Sequence, residues 1–162
     1  MLSANRAFGQ SDGTIPFTSA GIRSIVGKNV CQFEGAKFLA GVGVALDLGK
    51  QYAVEDREND NDSVVGVFLI QKPTLRCGIV DASLDLTRLA RKGEAPEFKC
   101  YTAHEGGTTW PKWGHIIGLA DNDNGLKRFV KARLAWRVDV KEKRFEELKG
   151  QSVTCDTAGY DD

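Results

Sequence analysis

The stretch from Val130 to Val140 constrains the fold more than any other part of the chain. Val130, Ala132, Leu134, Trp136, Val138 and Val140 fall on one side of an extended backbone. Lys131, Arg133, Arg137 and Asp139 fall on the other, where only Ala135 is apolar. A period of two is the mark of a strand with one buried face and one wet face, and such strands belong to antiparallel sheets. Upstream, Asp121–Gly125 (DNDNG) ends in Asn-Gly, the pair best suited to the positive φ angles of a tight hairpin turn. Residues 115–120 are therefore expected to pair with 127–140, with Asn124 and Gly125 at the centre of the turn. Lys141–Lys143 is a polar break before a strand at 144–148, and a short strand is expected at 152–155. The sum is a C-terminal β-meander over 115–155.

The middle of the chain reads as more strand. Val42, Val44, Leu46 and Leu48 alternate with Gly43, Ala45 and Asp47, which predicts a strand over 38–48. The run Glu55–Ser63 (EDRENDNDS) is expected to be a loop. Val64–Gln71 (VVGVFLIQ) is a continuous apolar run of strand length, as a centrally placed strand covered on both faces requires. Pro73 is expected to stop it, since proline cannot donate to a ladder; Cys77–Ala82 follows as a further strand, and another is expected over 97–103. One short helix is expected at about 83–92, capped by Ser83, with Leu86, Leu89 and Ala90 on one face and Gly93 closing it. The fold class is thus mainly β: a single-domain antiparallel β-sandwich or partly closed barrel with one short helix. Residues 1–20 are expected to be a flexible arm, 21–156 the domain and 157–162 a tail.

Composition narrows the function. A length of 162 residues suits one domain, and a 41% hydrophobic content excludes wholesale disorder. Lys plus Arg and Asp plus Glu both number 22, for a formal charge of zero. The basic excess of a nucleic-acid binder is missing, and nucleic acid is not expected as a partner. No stretch approaches the roughly 20 apolar residues of a membrane-crossing helix.

The cysteines Cys31, Cys77, Cys100 and Cys155 show no CxxC or CxxxC spacing, which argues against a structural zinc site. Two disulfides are expected; of the three possible connectivities, Cys77–Cys100 with Cys31–Cys155 is preferred because the first closes the shortest loop. That places the protein in the periplasm or outside the cell; free thiols would place it in the cytoplasm. Met1–Gln10 lacks the apolar core of a signal peptide, so the expectation of export rests on the cysteines.

The most unusual segment is His104–His115 (HEGGTTWPKWGH), which carries both histidines and two of the three tryptophans. Gly106-Gly107 leaves it permissive, and Pro111 stiffens the tip between Trp110 and Trp113. Tryptophan is enriched where proteins bind partners. The candidate binding residues are therefore Trp110, Lys112, Trp113, His104 and His115, and the expected partner is a protein or a glycan. The structural alternative is that both indoles fold back to plug one end of the sandwich or barrel.

A catalytic alternative uses His104, Glu105 and His115 as a small hydrolase, with or without a metal that Cys100 could help to bind. The spacing matches no helical HExxH or finger pattern. Calcium loops starting at Asp56 or Asp121 fail the EF-hand pattern, which needs Gly sixth and Glu twelfth. The basic row Lys131, Arg133 and Arg137 reads as a solvated face paired with Glu142, Glu146 and Glu147. No nucleophile elbow, phosphate loop or dinucleotide fingerprint occurs, and no cofactor is expected. The reading is a non-enzymatic exported binding or structural module, with the hydrolase and an inhibitor or immunity-type protein as alternatives.

Overall fold

The computed structural model describes residues 19–29, 52–58, 64–74, 77–104, 115–121 and 127–157. They form helix α1 (Ser19–Ser24) and ten strands. These are β1 (Tyr52–Glu58), β2 (Val64–Thr74), β3 (Cys77–Asp85), β4 (Glu94–Glu97), β5 (Cys100–Thr102), β6 (Ile116–Asp121), β7 (Phe129–Lys131), β8 (Leu134–Asp139), β9 (Arg144–Glu147) and β10 (Val153–Asp156). They make three antiparallel sheets ordered β1-β2-β3, β4-β6-β8-β9 and β5-β10-β7, none closed into a barrel. The mainly-β, antiparallel expectation is met.

The three sheets are stacked, and the apolar runs say why. In β2, Val67 and Leu69 join Ala82 and Leu84 of β3 against Ile117, Leu119, Trp136 and Val138 of the four-stranded sheet. Phe68 and Ile70 point the opposite way and are also fully buried, on the side where α1 contributes Ile22; Ile25, just past the helix, is buried as well. A Cβ added at Gly66 would sit 3.2 Å from Ile22 Cγ2, so the helix lies directly on the sheet. The centrally placed, doubly covered strand expected at 64–71 is thus β2. Strand β6 is doubly covered as well: Ile117 and Leu119 face the first sheet, while Ile116 faces Cys100, Ala135, Val153 and Cys155. The four-stranded sheet is the middle layer.

The Val130–Val140 alternation holds, but not as one strand. Ala132 N donates to Val153 O at 2.9 Å, and the next amide, Arg133 N, donates to Leu119 O at 2.9 Å. Consecutive residues therefore bond to different sheets, and the chain crosses from the outer sheet (β7) to the middle one (β8). Ala135, on the side expected to be wet, is buried because the outer sheet covers that face. The expected 115–155 meander is in part β6-β8-β9; β7 and β10 leave it to pair with each other. The β6–β8 register, Ile116↔Arg137 to Leu119↔Leu134, is not the one a two-residue turn at Asn124–Gly125 would impose. That turn itself, like the strand expected at 38–48, lies outside the described residues.

The helix expected at 83–92 is not formed; among the described residues the one short helix is α1. Ser83, Leu84 and Asp85 instead continue the ladder opposite Phe68, Val67 and Gly66. Asp85 Oδ1 then accepts bonds from the Thr87 amide (3.0 Å) and hydroxyl (2.5 Å), an Asx turn that ends the strand. What remains of the helix is one turn, with Ala90 N on Leu86 O at 3.0 Å, and Gly93 at φ 87° leads into β4. Two smaller expectations also change. Glu55–Glu58 belong to β1 rather than a loop, and β2 runs past Pro73 to Thr74, with its register shifting between Gln71 and Thr74. The strand expected over 97–103 is divided between β4 and β5, in different sheets. No helix among the described residues is long and apolar enough to cross a membrane.

Candidate functional site

The segment 105–114 is held at both ends by different layers. It leaves from β5, in the outer sheet, through a turn at residues 103–104 that exposes His104. It re-enters at His115, half-buried, whose carbonyl accepts a hydrogen bond from Val138 N at 2.9 Å, and continues directly as β6 of the middle sheet. Glu105, Trp110, Lys112 and Trp113 lie outside the described residues, so of the expected site the structure places only the two histidines, one at each end.

The first of these anchors is covalent. Cys100 faces Cys155 directly across β5 and β10, and the two form a disulfide with Cα atoms 4.0 Å apart. This overturns the expected Cys77–Cys100 and Cys31–Cys155 pairing, because each of those bonds needs a cysteine that is already occupied. The cause is register: Cys100 and Cys155 are cross-strand partners, a proximity that loop length along the chain does not report. The disulfide also removes Cys100 from any metal set with His104, Glu105 and His115, since a metal ligand must be a thiolate. Among the described residues no three His, Cys, Asp or Glu side chains cluster as metal ligands.

Gly118 of β6 makes room for that disulfide. A Cβ there would lie 2.4 Å from Cys155 Sγ, 2.9 Å from Cys100 Sγ and 2.9 Å from Ala132 Cβ. The outer and middle sheets thus meet through sulfur on one side and bare backbone on the other. Around them are Ile116, Ala135 and Val153, so the base of the 105–114 segment is packed and apolar.

The basic row is dispersed. Arg137 stands opposite Glu146 across β8 and β9, as the solvated-face reading requires, and Lys131 is exposed on β7. Arg133 is engaged through two of its nitrogens: Nε and Nη2 donate to the two oxygens of Glu94 at 2.6 Å each, and Nη2 also to Leu89 O at 2.6 Å. These bonds, chiefly, hold the Glu94 carboxyl below the usual carboxylate range and raise Arg133. The pair ties the turn at 86–93 to the point where the chain changes sheets.

Other polar contacts have no counterpart in the sequence reading. Buried Asp156 meets the half-exposed Arg128 at 3.4 Å, and Arg128 lies over the exposed Phe129 ring at 5.2 Å. Asp81 is the extra residue of a β-bulge in β3, between Val80 and Ala82, and its Oδ1 lies 3.4 Å from Lys143 Nζ. At Asp85 burial pushes the carboxyl up, but hydrogen bonds from Ser19 and Thr87 and the charge of Arg23 outweigh it and leave it below the usual range. No particular spacing marks these contacts in the sequence. No family model, curated protein or solved structure matches the chain.

Proposed function

We propose that this protein is a non-enzymatic, exported binding module that contacts a protein or glycan partner through the segment 104–115. In this reading Trp110 and Trp113 supply the contact surface, Lys112 a charge beside them, and His104 and His115 the polar flanks. The observation that carries it is the anchoring: the two ends of the segment belong to different layers of the stack, and the first is tied down by Cys100–Cys155 two residues before Thr102. A contact loop on a rigid base loses less freedom on binding, and so keeps more of its contact energy. The disulfide supports export, because such bonds persist in oxidising compartments. An inhibitor or immunity-type protein would use the same surface, differing only in what its partner does. The test is binding of the wild type and of Trp110→Ala and Trp113→Ala to arrayed polysaccharides and to proteins of the cell envelope. The proposal expects a ligand that both variants lose while their unfolding free energies stay within about 0.5 kcal/mol of wild type, as for surface truncations. Losses of about 3–5 kcal/mol, the cost of deleting a buried large aromatic, would make the indoles core plugs and end it.

A further inference from the structure

We propose that Cys31 and Cys77 form a second cross-strand disulfide, built on the same pattern as Cys100–Cys155. In that first pair the ladder bonds run between the flanking residues: Asp156 N donates to Lys99 O at 2.8 Å. Cys100 and Cys155 are therefore a non-hydrogen-bonded pair, the type that brings opposed Cα atoms closest. The molecule repeats this arrangement at the free edge of β3. Asn29 bridges Ile79 in antiparallel sense, and Val80 N donates to Lys28 O at 3.0 Å, so Asn29–Ile79 is again a non-hydrogen-bonded pair.

In an antiparallel ladder that pair type recurs every second residue, on the same face. Two residues on from Asn29 is Cys31, and two residues back from Ile79 is Cys77, the first residue of β3. Continued for two residues in that register, an antiparallel ladder would oppose positions 31 and 77 in the favourable pair type. Cys100 and Cys155 are already bonded, which leaves Cys31–Cys77 as the remaining intramolecular bond. Its formation follows thiol–disulfide exchange. Each thiol gives up one proton and one electron, and an oxidant of the glutathione-disulfide class is reduced to two thiols. Such a bond would fasten the chain that follows α1 to the sheet on which Ile22 of α1 packs.

Trypsin decides it, because Lys and Arg place each cysteine in its own peptide: 29–37, 77–88, 100–112 and 150–162. The whole protein is refolded in glutathione redox buffer, unfolded without reductant, alkylated and digested, and the linked masses are read. The proposal expects 29–37 joined to 77–88, beside 100–112 joined to 150–162. Alkylated Cys31 or Cys77, or either one joined to any other peptide, overturns it. In Cys31→Ser, Cys77 should become fully alkylated while the second linkage persists; Cys77 protected in that variant would also overturn it. The mapping involves no ligand, so its failure is separate from failure of the binding proposal.

Discussion

Gly118 carries much of the contact between two layers although it has no side chain. Its bare Cα lets the Cys100–Cys155 sulfurs approach the middle sheet, where a Cβ would meet Cys155 Sγ at 2.4 Å. Gly118→Ala should therefore overpack the interface and cost about 1–3 kcal/mol of stability. In a protein already carrying Cys100→Ala and Cys155→Ala the penalty should shrink, a coupling that a double-mutant cycle in urea reads directly. An equal penalty in both backgrounds would place the strain elsewhere. Glu94 has a different signature. Its folded carboxyl binds a proton less tightly than the unfolded one, so acid favours the unfolded chain. The stabilisation is complete above the unfolded value of roughly 4.3 and is lost as pH falls through the folded one. Wild type should thus be more stable than Glu94→Gln at pH 7, with the gap closing below pH 4. A gap independent of pH would mean that Arg133 does not hold an ionised Glu94.

At the scale of elements, the apolar runs at 64–71, 77–82 and 152–155 are strands as expected, whereas the helical spacing at 83–92 is not a helix. The β2 run, the strand at 77–82 and the short strand at 152–155 were legible because each has a continuous or alternating apolar set. The false helix at 83–92 came from Leu86, Leu89 and Ala90 at helical spacing. An equally plain alternation, Ala82, Leu84 and Leu86, competed with it, and pairing with β2 decided the outcome. The consequence is measurable. Leu86 is 1% exposed and Leu89 38%, whereas a helix packed on that face would bury both. Leu86→Ala should cost about 2–5 kcal/mol and Leu89→Ala no more than about 0.5 kcal/mol. Similar losses at both would restore the helix. The sheet crossing at Ala132–Arg133 was not legible, since alternation is blind to which sheet receives each hydrogen bond.

In the whole molecule, a single alternating strand suggested two layers where the structure stacks three sheets and a helix. Burial of Ala135 on the side read as wet is the residue-level trace of that third sheet. A disulfide was legible from the cysteine count, and its pairing was not, because register across β5 and β10 sets proximity while sequence separation does not. Closing a loop with a separation of 55 residues restricts the unfolded chain by about 4 kcal/mol in the chain-entropy estimate, so the bond braces the stack from which the 105–114 segment springs. The binding account depends on where the indoles of that segment sit. Acrylamide quenching of tryptophan emission in the free, folded protein is the most direct test. The account predicts that most of the emission is quenched, from Trp110 and Trp113, with a protected remainder from Trp136, which is 5% exposed in the core between the first two sheets. Emission shielded as a whole, with Trp110→Phe and Trp113→Phe leaving the quenched fraction unchanged, would contradict it.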